Sequence, residues 1–298
     1  MNEKDGEHTL HTRDAINMNF RGAMRGRAVE EKCYETLTQM GFKPGNTLFG
    51  DSSCPDEINH NGADITFLFQ HRWASMFPLS GLAGLPFSGK TGWAAFSSHT
   101  PKDGNIVVLF APHVGIDRDG NVGKVHRDGI KNSTTACGAA VGAYNAVKNN
   151  KDQELFESDH TDIQMDCIKA LVADRVDLIK GTKNEMASLA YQMFEIVDEF
   201  LSGIVDMKWA GPNGKLAILG GIMINCDGDR TDMFLPLKFN VTFKSGKTED
   251  LFRTTFGTSP YVHSFSKKSK KNKKTSSILS LQRTPEVKKE ASDDEDGF

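Results

Sequence analysis

The chain has 298 residues, 38% of them hydrophobic, with a formal net charge of -3, which is enough apolar content for a sizeable core in one large domain or two small ones. So small a charge supplies no global pull toward nucleic acid or a membrane surface, and no apolar run is long enough to span a bilayer. The opening MNEKDGEHTLHTRDAINMNF has early acids and lacks the apolar centre of a signal peptide, so the expectation is a cytoplasmic protein with a flexible arm over residues 1–16.

In chain order, Val29, Cys33, Leu37 and Met40 recur at helical spacing before Gly41 and predict a helix over 29–40. Thr47-Leu48-Phe49 reads as a short strand that delivers Cys54. Ile106 to Ala111 is the clearest strand, a β-branched apolar run bounded by Asp103-Gly104 and Pro112. His113 stands just past its end. The run TTACGAAVGAYNAVKNN from Thr134 reads as a helix with a Thr cap and Cys137 in its first turn. Two longer helices follow over 162–179 and 184–205, the second with a core stripe of Met186, Leu189, Met193, Val197, Phe200 and Ile204. Leu216 to Ile224 and Leu235 to Phe243 read as strands. Strands and helices mixed in this way indicate an α/β domain. Beyond about Tyr261, KKSKKNKK, a Ser/Gln/Thr stretch and an acidic end predict a disordered charged tail over 261–298.

The stretch from Phe77 to Asp117 supports two incompatible chemistries. Gly84, Gly89, Lys90 and Thr91 spell G-x-x-x-x-G-K-T, the pattern of a phosphate-cradling loop. Such a loop needs a buried strand before it, free backbone N–H groups within it and a helix after it. Here Pro78, Gly81 and Gly84 interrupt the approach, Pro86 removes a donor, and Gly92 is a weak start for a helix. A glycine-rich loop packed close to another element is the better reading.

The same stretch carries His113 near its end. Two thiolates and an imidazole form an accepted catalytic zinc set with a fourth position left open, and Cys54, His113 and Cys137 supply it. Cys54 and His113 each follow a predicted strand, where α/β sheets gather their ligands, and a helix N-terminus favours the Cys137 thiolate. Five cysteines at irregular spacing fit a reducing compartment, where such clusters bind metals or react rather than pair. Cys33 and Cys167 read as buried helix residues; Cys226 after a strand end competes as a ligand, with a partly buried structural cysteine the better reading. Cysteine hydrolysis, with Cys137 as nucleophile and His113 as base, leaves Cys54 and Asp56 idle. Residue types alone do not separate a ligand from a core histidine at position 113.

FPLSGLAGLPFSGKTGWAAFSSHTPKDGNIVVLFAPHVGID, with SSCPDEIN, TACGAA and LAILGGIMIN...FLPLKF, resembles the limiting-carbon-dioxide-inducible B/C proteins, a group of β-type carbonic anhydrases close to the theta class. The similarity runs from about Asn17 to Phe243. It implies one domain over 17–260, a central mixed β-sheet flanked by helices, paired into a homodimer. It also implies Zn2+ held by Cys54, His113 and Cys137, reversible hydration of carbon dioxide to bicarbonate by hydroxide on the zinc, and an Asp-Arg dyad that gates and orients it. Asp56 matches the aspartate of that dyad. The simplest pattern puts the arginine two residues later, where this chain has Ile58, and Arg72 in HRWASMFPL becomes the candidate. Expected helpers are a proton-carrying histidine among His60, His99 and His126, and a small apolar wall of Leu79, Leu82, Leu85 and Phe87. The alternative within the same resemblance is a catalytically silent zinc-bearing scaffold or inorganic-carbon sensor.

Overall fold

The computed structural model describes residues 9–60, 64–74, 76–149, 161–227 and 232–258. The charged tail expected over 261–298 lies outside them. In chain order the elements are α1 (Leu10–Asn19), β1 (Met24–Arg25), α2 (Gly26–Gln39), β2 (Thr47–Ser53), α3 (Ile65–Trp73), β3 (Met76–Pro78), α4 (Gly89–Ser98), β4 (Asn105–Ala111) and β5 (His113–Ile116). There follow β6 (Lys124–Val125), β7 (Thr134–Thr135), α5 (Gly138–Lys148), α6 (Ile163–Ala173), α7 (Val176–Ile179), α8 (Glu185–Ile204), β8 (Lys215–Cys226), β9 (Met233–Phe243), β10 (Thr248–Asp250) and α9 (Phe252–Phe256). Single 3₁₀ turns occupy Pro44–Asn46, Glu57–Asn59 and Leu82–Gly84.

The described residues form an α/β domain with a central mixed sheet flanked by helices, in agreement with the sequence. Its eight-stranded sheet runs β1-β9-β8-β4-β2-β3, with β10 on β9 and β5 on β8. β3, β2, β4 and β8 are mutually parallel, and β9 returns antiparallel to β8. β8 is long enough to serve two partners in line: Ile106–Phe110 of β4 pair with Leu216–Gly220, and His113–Ile116 of β5 pair with Met223–Cys226. Pro112 interrupts the lane between β4 and β5, because it has no N–H for the ladder, yet its carbonyl accepts from Met223 N–H at 2.9 Å.

β4 is buried on both faces, which explains its unbroken apolar run. Val107, Leu109 and Ala111 join a core with Val29 and Leu37 of α2, Phe69 and Trp73 of α3, and Phe239 and Val241 of β9. On the other face Phe110 stacks on Phe194 of α8 with ring centroids 5.3 Å apart. Leu189, Met193, Val197 and Ile204 of α8 are buried, as their helical spacing predicts.

Several boundaries differ from expectation. Residues 10–16 belong to α1 rather than to a flexible arm: Thr9 caps the helix, Thr12, Ala15 and Ile16 are buried, and the Thr12 hydroxyl donates to the Asp117 carbonyl at 3.0 Å. The helix expected from Thr134 starts at Gly138, because Thr134 and Thr135 pair with Val125 and Lys124 instead. The helix expected over 162–179 breaks into α6 and α7 at Asp174-Arg175.

Candidate metal centre

Three elements that end at the same side of the sheet bring the expected ligands together. Cys54 directly follows β2, His113 opens β5, and Cys137 caps α5. Gly115 permits the last approach: its N–H donates to the Ala136 carbonyl at 3.0 Å, and a Cβ there would lie 2.6 Å from the Lys124 carbonyl oxygen. The chain before Cys137 is thereby drawn against β5. The two sulfurs are 3.7 Å apart, and the ligand atoms of Cys54, His113 and Cys137 all lie within 4.8 Å of one another, every one of the three residues buried.

The chemistry of this cluster suits a metal ion. His113 Nε2 is buried without a hydrogen-bond partner, an arrangement that costs free energy unless something else meets the lone pair. Nδ1 is engaged instead, 2.8 Å from Asn225 Oδ1. The thiols share their protons unequally: the hydrogen bond with Cys137, together with His113, carries Cys54 down to about 4 against the effect of burial. The Cys54 hydrogen bond, with burial, pushes Cys137 up. Burial works to lower His113, but the Cys54 thiolate outweighs it and moves the imidazole upward. The pair thus favours the thiolate at Cys54, the form a metal ligand takes. Cys33 is buried in the apolar core and Cys167 half-buried in α6. Cys226, the competing ligand, is buried and turns its thiol to the Ile224 carbonyl.

Asp56 stands at the rim, its carboxylate 3.8 Å from His113 Nε2. Its partner is Arg127, whose Nη2 lies 2.8 Å from both carboxylate oxygens. Arg127 follows β6 and is itself braced: Nε donates to Glu57 at 2.6 Å, and Nη1 donates to the Thr134 hydroxyl and to the Thr135 carbonyl. Burial works to raise the Asp56 carboxyl, but the Arg127 hydrogen bond and the His113 charge overcome it and hold Asp56 below the usual range.

Arg72 does not meet Asp56. It lies in the last turn of α3 facing α2, where Nε and Nη2 donate to Glu30 at 2.6 and 3.1 Å and the guanidinium stacks over the Tyr34 ring. Sequence reasoning missed Arg127 because it comes 71 residues after Asp56, in a hairpin loop whose position depends on the pairing of β6 with β7.

The glycine-rich loop is no phosphate cradle. A helix does begin at Gly89, contrary to the expectation for Gly92, but the preceding strand is the sheet-edge β3, and most N–H groups from Gly81 to Gly89 are spent. Those of Gly81, Leu82, Gly84, Leu85, Phe87, Ser88 and Gly89 donate to Leu85, Gln164, Gly81, Leu82, Leu85, Leu79 and Pro86 respectively. Gly84, at φ +79°, packs against the end of β4, where a Cβ would lie 3.1 Å from the Ala111 carbonyl oxygen. Leu79 and Leu85 are core residues. The apolar cavity beside His113 and Cys137 is walled instead by Ala83, Ala140, Leu189, Ala190 and Met193. Of the expected proton carriers, His99 caps α4 against Phe77, His60 is exposed after the Glu57–Asn59 turn, and His126 adjoins Arg127 and lines a polar cavity of about 200 Å³ with Asp117, Arg118 and Asp227.

The family model described as limiting CO2-inducible proteins B/C beta carbonic anhydrases matches residues 23–243. The chain belongs to that family. Among solved structures, this member of the limiting CO2-inducible B/C family resembles PtLCIB4, a homolog of the limiting CO2-inducible protein LCIB, at 26% identity and a TM-score of 0.74, covering 80% of this chain and 99% of that one. A mutant of PtLCIB4 aligns at 25% identity with the same TM-score, covering 80% and 98%. LCIB itself shares the fold, at 20% identity and a TM-score of 0.63 over 81% of this chain and 98% of that one. No curated protein matches the chain. Among the described residues, no helix of this family member is long and apolar enough to cross a membrane.

Proposed function

We propose that the protein is a zinc-dependent carbonic anhydrase, acting as a homodimer, that interconverts carbon dioxide and bicarbonate with the metal held by Cys54, His113 and Cys137. The observation that carries this reading is the buried, unpartnered His113 Nε2 facing two sulfurs, with a carboxylate held beside it by an arginine. Zinc in such a set supplies Lewis acidity that brings the ionisation of water toward neutrality, carbonic anhydrase being the standard case of that effect. What remains is the work of the chain's own residues.

Cys54 and Cys137, as thiolates, balance the divalent charge, so a third anion is unwelcome as a ligand. Arg127 keeps Asp56 from that role by holding both of its oxygens. Asp56 is left as a hydrogen-bond acceptor at the rim. There it would accept a hydrogen bond from the O–H of water or of bicarbonate, and would discriminate against anions with no proton to give. Carbon dioxide offers little to hydrogen-bond, and the side chains beside His113 and Cys137, among them Ala83, Ala140 and Leu189, are apolar.

Oxygen-isotope exchange between carbon dioxide and water, catalysed by the zinc-loaded full chain, tests the reading. The expected result is acceleration that disappears in His113→Ala. No acceleration by protein carrying stoichiometric zinc overturns it and leaves a catalytically silent zinc-binding member of the family.

A further inference from the structure

The buried network behind His113 fixes which ring nitrogen carries the proton. It begins at an atom with one hydrogen-bonding role, since the Cys54 carbonyl oxygen only accepts. Asn59 Nδ2 lies 3.1 Å from it and donates there, which leaves Asn59 Oδ1 as an acceptor. Asn225 Nδ2 donates to that oxygen at 3.0 Å and to Asp232 Oδ2 at 2.8 Å. Both N–H groups of the Asn225 amide are then spent, and its Oδ1 faces His113 Nδ1 at 2.8 Å. The ring must donate through Nδ1, and a neutral imidazole has one proton, so Nε2 presents a lone pair.

At the opposite end Cys226 N–H donates to Asp232 Oδ1 at 2.8 Å, which leaves Asp232 Oδ2 to the second Asn225 N–H. Turning the Asn225 amide over would set its oxygen against Asn59 Oδ1 and its NH2 against His113 Nδ1. That would force the proton onto Nε2, the form that cannot take a metal. Asn59 and Asn225 are at most 2% exposed, so water does not compete for these bonds and the sense of each is strongly enforced.

We propose that Asn225 is a positioning residue of the metal centre: with Asn59 it carries the donor-acceptor sense from the Cys54 backbone to the His113 ring and holds Nε2 bare toward the two sulfurs. The proposal rests on the metal reading of the site and adds that the backbone of one ligand sets the tautomer of another. Outer partners of this kind, when removed, typically weaken metal binding about 10- to 100-fold.

The test uses the full chain labelled with ¹⁵N at histidine, kept metal-free at alkaline pH so that the imidazole is neutral, with His113 signals assigned by their loss in His113→Ala. Long-range ¹H–¹⁵N correlation identifies the protonated nitrogen. The wild type is expected to hold the Nδ1–H form, and both Asn225→Leu and Asn59→Leu to populate Nε2–H. In chelator competition, Asn225→Leu is expected to bind zinc about 10- to 100-fold more weakly. A wild-type proton on Nε2, which needs no variant to fold, overturns the proposal. So does an Asn225→Leu protein with unchanged tautomer and unchanged zinc affinity. A wild type that holds Nδ1–H, loses it in Asn225→Leu and still binds no zinc supports the tautomer assignment while refuting the metal reading.

Discussion

Replacement of Arg127 by leucine, set beside the same change at Arg72, tests which arginine serves Asp56. In the structure one guanidinium nitrogen serves both Asp56 oxygens at 2.8 Å, and the pair is largely shielded, with side-chain exposures of 15% and 12%. A hydrogen bond to a charged group contributes about 1.5–3 kcal/mol. Counting the shared contact as one strong bond of about 2–3 kcal/mol, and tenfold in rate for about 1.4 kcal/mol, the loss in kcat/KM is about 30- to 150-fold. Zinc content should stay at the wild-type level, because Arg127 touches no ligand side chain. Arg72→Leu, made alongside, loses its bonds to Glu30 and should keep kcat/KM within about twofold, since none of those groups lies at the site. Stopped-flow hydration with a pH indicator reads the rates, and elemental analysis reads the metal. Full turnover in zinc-loaded Arg127→Leu, or an equal loss in Arg72→Leu, would refute the reasoning.

The ligand set itself predicts that Cys54→Ser, His113→Ala and Cys137→Ser each release most of the zinc; a triple variant that purifies with stoichiometric metal contradicts it. A separate consequence concerns Asp51 on β2, which burial pushes up to about 6 against the opposing hydrogen bonds of Ser53. The native carboxyl keeps a proton that the unfolded chain releases, so stability falls as pH rises from 3.8 to about 6 and is level above that. A rise of about two pH units corresponds to about 3 kcal/mol, and Asp51→Asn should remove that slope. Denaturation curves compared across pH 4 to 7 check it, and identical slopes in the two proteins would count against a buried, protonated Asp51.

The parts of this fold that were legible in the sequence are those whose signal is local. β4 announces itself by a β-branched run that is buried on both faces, and α8 by an apolar stripe that the sheet then covers. The ligands Cys54 and His113 follow from the same reasoning, because each stands at a strand end. Arg127 was illegible for the opposite reason: its place depends on a hairpin of two-residue strands with almost no pattern of their own. Asn225 reads as one more polar residue at the end of an apolar strand until β8 is seen to run alongside β5. α1 was misread because a polar amphipathic segment shows its docking only through Thr12 and the few apolar residues it buries.

The unequal anchorage of the three proposed ligands would set an order of events for metal exchange. His113 belongs to the sheet ladder through the pairing of β5 with β8, whereas Cys54 and Cys137 belong to connections beyond β2 and before α5. Core strands open rarely, while chain that is outside them opens at lower cost. On the proposed metal reading, an arriving ion would find the imidazole already in place and be enclosed by movement of the cysteines. A departing one would leave when a cysteine let go, without waiting for the sheet.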